Sequence, residues 1–280
     1  MARMLAGHAA VGVLKILRRV SPCTGAKPWS PLLAAYALLR PGRARHLRRL
    51  FAASPFKGLT VSSYYRARLE LLGRCLHVHG RELRPDEMHV QGAEHYQAAL
   101  SHGKPVVLLG LHLGAVEFLH RLPSAPTGRP FRVLTAPAFS PPLTEYMAWG
   151  RERDGKQILR NDVLQYGLRE ILRGKGILAM MADQHPGKTD DFIHLWDRIS
   201  VPYPARLLRF LAGHGCLALP VSTYMEADGM PSYRFHPIWE AAECSSPGAL
   251  AVLVKAFMEE AIARAPEQWN WSYHKLKLKS

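Results

Sequence analysis

The sequence predicts an α/β domain in which a mainly parallel central sheet is covered by helices on both faces. Short apolar segments that fit buried strands alternate along the chain with segments of helical spacing, and this alternation is typical of parallel sheets. Segment 176–182 is apolar throughout, which indicates a central strand. A chain of 280 residues is long enough for one full core. We therefore expect one domain, residues 61–280, after an N-terminal extension, residues 1–60.

The strands are predicted from short apolar runs bounded by turn residues. The run that starts at Pro105 follows Gly103 and Lys104, a typical opening for a strand. Predicted strands span residues 105–111, 131–135, 176–182, 216–224 and 233–238.

The helices are predicted from apolar residues that recur at helical spacing. Several begin at proline or a polar residue, and one ends at Gly213, as helix boundaries commonly do. Predicted helices span residues 64–78, 93–100, 142–153, 161–173, 204–212 and 247–264.

The extension combines apolar and basic residues. Segments 1–20 and 29–39 are apolar with interspersed or following Lys and Arg, and neither has the roughly 18 apolar residues of a membrane-spanning helix. We interpret them as basic amphipathic helices in the headgroup region of an anionic membrane. A signal peptide is the alternative for the first segment. Against it, basic residues directly follow the apolar part, and no Ala-x-Ala site leads into an obviously mature domain.

The net charge of +15, from 37 Lys and Arg against 22 Asp and Glu, predicts an anionic partner. Nucleic acid, anionic lipid and an acidic carrier protein all qualify. The sequence has no helix-turn-helix, RNP or zinc-finger pattern, so we expect no nucleic-acid binding.

Cysteine and histidine spacing favours neither a redox site nor a metal site. The 4 cysteines are widely spaced and form no Cys-x-x-Cys pair. No histidine has a convincing metal-ligand spacing with a carboxylate. We predict no metal and no permanently bound cofactor.

The strongest functional pattern is His112-x4-Glu117 directly after the first predicted strand. Five steps on a regular helix leave two side chains about 140° apart, so the two residues cannot meet within one helix. If His112 lies on the strand-to-helix turn and Gly114 lets the chain bend, the Glu117 carboxylate can reach the imidazole. Such a pair deprotonates a hydroxyl, with the carboxylate fixing the tautomer. A chance pairing is the alternative.

This pattern resembles the His-x4-Asp/Glu signature of glycerolipid acyltransferases. Together with segments 149–155 (WGRERDG), 182–188 (ADQHPGK) and 265–271 (APEQWNW), it is similar to the late acyltransferases of bacterial lipid A biosynthesis. The resemblance spans residues 88–275 and implies an α/β layered fold. The implied reaction transfers a fatty acyl chain from acyl carrier protein to a hydroxyl of a lipid A precursor.

The resemblance also implies roles for single residues. Arg151 matches an arginine near the dyad that binds phosphate or stabilises an oxyanion. Lys188 matches a basic residue that contacts acceptor phosphate, although arginine is frequent there and lysine lacks its bidentate fork. Asp183 ends a predicted strand, as His112 does, and ligands bind at the carboxyl ends of such strands. We assign Asp183 to substrate binding. Glu267 and Gln268 are assigned to packing at a helix end.

The implied mechanism is direct transfer. His112, oriented by Glu117, deprotonates the acceptor, which attacks the thioester of an acyl-phosphopantetheine. No Gly-x-Ser-x-Gly elbow is present and no cysteine adjoins the dyad, so no acyl-enzyme is expected. The expected location is the cytoplasmic face of a bacterial inner membrane, as a peripheral or monotopic protein. Two alternatives stay open: an acyltransferase with another acceptor or an acyl-CoA donor, and a non-catalytic lipid-binding protein.

Overall fold

A computed structural model of the chain describes residues 41–78, 85–116, 129–135, 140–151, 156–160, 164–185 and 189–279, with six isolated positions before residue 16. Within these ranges, no helix is both long enough and apolar enough to cross a lipid bilayer. Apart from those isolated positions, the predicted amphipathic segments 1–20 and 29–39 lie outside the described residues.

The described residues form two sheets. The strands are β1 (His89–Gln91), β2 (Val106–Gly110), β3 (Phe131–Thr135), β4 (Lys156–Arg160), β5 (Ile177–Met181), β6 (Phe192–Leu195), β7 (Ile199–Pro202), β8 (Leu217–Met225), β9 (Pro231–Phe235) and β10 (Lys277–Leu278). The larger sheet has the order β1-β9-β8-β2-β5-β3-β4, and the smaller has the order β10-β7-β6.

The larger sheet confirms the predicted fold class. Strands β8, β2, β5, β3 and β4 run parallel to one another, and β9 runs antiparallel to β8. All five predicted strands are present, and β3 has the predicted bounds. Strands β1 and β4 and the three strands of the smaller sheet were not predicted from the sequence.

Helices pack on both faces of the larger sheet. They are α1 (Pro41–Ala53), α2 (Val61–Val78), α3 (Ala93–Ser101), α4 (Pro141–Arg151), α5 (Leu164–Arg173), α6 (Ala205–Gly213) and α7 (Pro247–Arg264). Side chains of β2 alternate between the two cores: Val107 and Leu109 join one cluster, and Val106 and Leu108 join the other. This alternation is what a strand buried on both faces requires. The six predicted helices are confirmed to within a few residues.

Helix α1 lies inside the range assigned to the extension, yet it packs on the domain. Leu47 and Leu50 are fully buried in the hydrophobic cluster that also contains Val107 and Leu109. The Arg43 guanidinium donates to the Ser272 carbonyl at 2.8 Å. The domain boundary at residue 60 stays a prediction, but residues 41–53 contribute to the core that surrounds the C-terminal segment.

Candidate active site

The site begins where two neighbouring parallel strands end. Strands β2 and β5 pair so that Gly110 lies opposite Met181, and the Ala182 amide donates to the Gly110 carbonyl at 2.8 Å. His112 and Asp183 each follow this last register pair by two residues. Their side chains therefore emerge side by side at the carboxyl edge of the sheet, where open α/β sheets bind ligands.

His112 and Asp183 form a hydrogen-bonded pair. The His112 ring nitrogen Nδ1 lies 2.9 Å from Asp183 Oδ1, and the His112 backbone amide donates to Asp183 Oδ2 at 2.9 Å. The imidazole side chain is 33% exposed and the carboxylate 1% exposed. An ionised carboxylate only accepts hydrogen bonds, so Nδ1 carries a proton. In the neutral ring, Nε2 is then the free base.

Trp269 is a second hydrogen-bond partner of the Asp183 carboxylate. Its indole Nε1 donates to Asp183 Oδ2 at 2.9 Å. Burial by itself raises the pKa of Asp183, but the charge of His112 and the hydrogen bonds from His112 and Trp269 outweigh it, so this pKa lies below its usual value. Asp183 is therefore ionised at neutral pH.

The segment after α7 fixes the backbone of the histidine loop. The Asn270 amide donates to the His112 carbonyl at 2.9 Å, and the Gly114 amide donates to the Gln268 carbonyl at 3.2 Å. Leu113 and Trp269 form an antiparallel bridge between these bonds. The Gln268 side chain bonds both backbone groups of Met225 at 2.9 Å. Residues 112–114 are thus tied to the C-terminal segment and, through it, to β8.

Gly114 allows the chain to turn after His112. Its φ is +52°, and a Cβ at this position would lie 2.3 Å from the Thr223 carbonyl oxygen. The Thr223 hydroxyl donates to the Leu113 carbonyl at 2.6 Å. The bend expected from the sequence is present, and it is packed too closely against β8 for any side chain.

The loop that follows Asp183 is held by the same C-terminal segment. The Tyr273 hydroxyl and the Lys275 ammonium both donate to the His185 carbonyl, at 2.7 and 2.6 Å. These bonds fix the loop close to its origin at β5. Lys188, farther along it, lies outside the described residues.

Two other predicted site residues are described only in part or not at all. Glu117 lies outside the described residues, so its expected contact with His112 stays a prediction. Arg151 is the last residue of α4, and the description does not extend to its guanidinium.

Asp183 was assigned to substrate binding, which stays a prediction, and the structure places its carboxylate against the imidazole of His112. The carboxylate is 1% exposed, and both of its oxygens accept hydrogen bonds from His112 or Trp269. Gln268 and Trp269 carry more of the site than the sequence indicated. The available signal was Trp269 itself, because a buried indole N–H requires an acceptor.

Other candidate nucleophiles among the described residues are poorly placed for an acyl-enzyme. Burial raises the pKa of the Cys216 and Cys244 thiols to about 11, so both are protonated. Ser222 Oγ lies 3.0 Å from His236 Nε2, but Ser222 is fully buried. No group of three or more His, Cys, Asp or Glu within the described ranges is arranged to hold a metal ion.

The family model described as bacterial lipid A biosynthesis acyltransferase matches residues 64–278. The chain belongs to this family. It is an acyltransferase. The matched range includes the histidine loop, Asp183 and the C-terminal segment, and it begins three residues after the start of α2.

No curated protein matches the sequence closely enough to be counted. Among solved structures, the crystal structure of the 1-acyl-sn-glycerophosphate (LPA) acyltransferase PlsC from Thermotoga maritima matches with a TM-score of 0.43 and 12% sequence identity. That match covers 88% of this chain and 99% of the other.

Proposed function

We propose that this acyltransferase moves a fatty acyl chain from acyl carrier protein to a hydroxyl of a lipid A precursor or a related phosphoglycolipid. The observation that carries the chemistry is the His112–Asp183 pair. An ionised, buried carboxylate bonds Nδ1 at 2.9 Å, and the imidazole is partly exposed at the edge of the sheet. This arrangement presents a neutral Nε2 to a substrate hydroxyl.

The proposed reaction is a direct acyl transfer. His112 Nε2 takes the proton of the acceptor hydroxyl as the oxygen attacks the thioester carbonyl. The tetrahedral intermediate collapses, the carbon–sulfur bond breaks, and the imidazolium returns the proton to the departing phosphopantetheine thiolate. Asp183 stabilises the transient imidazolium and keeps its tautomer fixed. An acyl-enzyme is not needed, because the acceptor itself is the nucleophile.

Asp183 thereby takes the role that the sequence pattern assigned to Glu117. The support for this exchange is geometric, since the two strand ends bring Asp183 to Nδ1 directly. Glu117 remains the alternative orienting carboxylate. Arg151 and Lys188 are proposed to bind the phosphate of the acceptor, as cations suited to a phosphorylated headgroup.

The proposed partners are anionic, in agreement with the net charge of +15. An acidic carrier protein supplies the acyl chain, and an anionic membrane supplies the acceptor. We propose that the protein works at the cytoplasmic face of a bacterial inner membrane. Helix α1 supports the membrane contact, because its exposed face contains three arginines at i, i+3 and i+4 spacing and the helix contains no acidic residue. They are Arg45, Arg48 and Arg49.

The decisive experiment gives the purified enzyme a choice of substrates. Carrier protein loaded with acyl chains of different lengths, or the same chains on CoA, is incubated with phosphorylated glycolipid, lysophospholipid or total bacterial lipid, and products are identified by mass spectrometry. We expect carrier-dependent acylation of the phosphorylated glycolipid. His112→Ala should lose the activity by about 10² to 10⁴-fold while its thermal unfolding stays close to wild type, since a general base is removed from a loop.

The other outcomes of this experiment have definite meanings. Preference for CoA or for lysophospholipid would replace the proposed donor or acceptor and keep the dyad. Lipid binding without any acyl transfer, unchanged in His112→Ala, would identify a non-catalytic lipid-binding protein and end the proposal.

A further inference from the structure

We propose that Trp269 is a positioning residue for the catalytic pair: its indole N–H holds the Asp183 carboxylate in the rotation that presents Oδ1 to His112. This inference rests on the proposed function of His112 as the base. It assigns a chemical role to a tryptophan that the sequence pattern alone would place in the core.

The first support is the division of hydrogen bonds between the two carboxylate oxygens. Oδ2 accepts from the Trp269 indole and from the His112 backbone amide, each at 2.9 Å, and Oδ1 is left for the His112 ring. A carboxylate turns readily about its Cβ–Cγ bond. Two separate donors on one oxygen fix that rotation, because a turn would break both hydrogen bonds of a carboxylate that is only 1% exposed.

The second support is that Trp269 is itself held firmly. Its side chain is buried, with the whole residue 1% exposed. The ring packs edge-on against Trp271 at 4.7 Å between centroids. Its backbone bridges to Leu113, and the next amide donates to the His112 carbonyl. One short segment therefore contacts both members of the pair, His112 through the backbone and Asp183 through the indole.

The third support is electrostatic. Within the described part of the chain, hydrogen bonds to the Asp183 carboxylate come only from His112 and Trp269, so the indole is the one donor outside the pair. Removing the indole donor favours the protonated form of the Asp183 carboxyl. Its removal also leaves more negative charge on the carboxylate facing His112, which favours the imidazolium. Both effects move the acidic limb of activity to higher pH. Within the described residues, Tyr273 also interacts electrostatically with Asp183. Burial raises the pKa of the Tyr273 hydroxyl, so this group stays neutral in acid.

The test compares Trp269 with a matched neighbour. Trp271 is also fully buried in the same aromatic cluster. Its indole donates to the Pro266 carbonyl at 2.7 Å and not to either member of the pair. Trp269→Phe and Trp271→Phe each remove one buried indole N–H and leave a smaller ring. Only Trp269→Phe loses a hydrogen bond to a charged group. We therefore expect it to reduce kcat about tenfold or more beyond the effect of Trp271→Phe.

Further readouts separate positioning from packing. KM for both substrates should be similar in the two variants, and the acidic limb of the pH profile should move upward in Trp269→Phe only. Incorporation of benzothienylalanine at position 269 keeps the shape of the indole and replaces the N–H by sulfur. This change avoids the cavity that the smaller phenylalanine ring would leave. Equal kcat and equal pH profiles for Trp269→Phe and Trp271→Phe, or full activity with benzothienylalanine, would overturn the inference.

A measurement that needs no turnover distinguishes this inference from the proposed function. Nitrogen NMR of the histidine rings, with the His112 signals assigned by their loss in His112→Gln, reports which ring nitrogen is protonated. We expect the benzothienylalanine protein to show a changed His112 titration relative to wild type. A changed titration in a protein without acyl transfer would keep the positioning role and reject the proposed function. An unchanged titration would reject the positioning role whatever the activity.

Discussion

At the scale of single residues, the site depends on which carboxylate contacts His112. The sequence pattern favours Glu117, because it lies only five residues after His112 along the chain. The sheet favours Asp183, because β2 and β5 are neighbours although their last residues are far apart in sequence. The composition of a strand does not show which other strands lie beside it in the sheet. Given the order of the strands, the positions of His112 and Asp183 just past paired residues would have predicted their contact.

Replacement of each carboxylate by its amide decides between them. Asp183→Asn should lower kcat by about 10² to 10⁴-fold, because an amide can donate to Nδ1 and select the wrong tautomer. Glu117→Gln is expected to cost less. Steady-state kinetics with one acyl donor checks both, alongside thermal unfolding to verify folding. A larger loss for Glu117→Gln than for Asp183→Asn would return the orienting role to Glu117.

At the scale of elements, the long apolar strands were predictable and the short or polar ones were not. Strand β4 contains lysine and arginine at its ends. Among the described strands it lies at the edge of the sheet and pairs only with β3, so it lacks the apolar run of a central strand. The β6–β7 hairpin turns at Trp196 and Asp197, both with positive φ. Such positions usually contain glycine or asparagine, so this turn gave no recognisable sequence signal.

The histidine loop makes a prediction at this scale. Gly114→Ala should destabilise the protein by about 1 to 3 kcal/mol or more, because alanine is strained at positive φ and its Cβ would collide with β8. Gly103→Ala is the matched control: its φ is +63°, and an added Cβ meets nothing within 4 Å. Denaturant unfolding measures both. Equal losses in the two variants would mean that close packing at Gly114 contributes nothing beyond backbone strain.

At the scale of the whole molecule, exposed basic residues of two elements lie together where α1 meets the smaller sheet. Arg45, Arg48 and Arg49 are exposed on α1, which packs beside β10. Lys277 and Lys279 are exposed at β10. Because Leu47 and Leu50 point into the core, the outward face of α1 is available for electrostatic contact rather than insertion. Sequence alone predicted a basic extension, but it did not show that α1 is part of the folded domain.

Membrane contact through this surface is testable with vesicles. Changing Arg45, Arg48 and Arg49 together to Glu should strongly reduce sedimentation with anionic vesicles, because each basic residue near such a surface contributes about 1 kcal/mol. The wild-type protein should be released as salt rises. Changing the exposed Arg169, Arg173 and Lys175 to Glu gives the same change in net charge and should have a smaller effect. Equal loss in both triple variants would show that only total charge matters.

The separation of the site residues along the chain also determines when the site can form. A ribosome that has completed Asp183 has already produced both members of the catalytic pair, but Trp269 follows 86 residues later. At typical synthesis rates, this interval lasts on the order of ten seconds. During that time the carboxylate lacks its indole donor, and the histidine loop lacks the segment to which it is tied. An emerging chain therefore passes the point where its active-site strands can pair well before it becomes a competent enzyme.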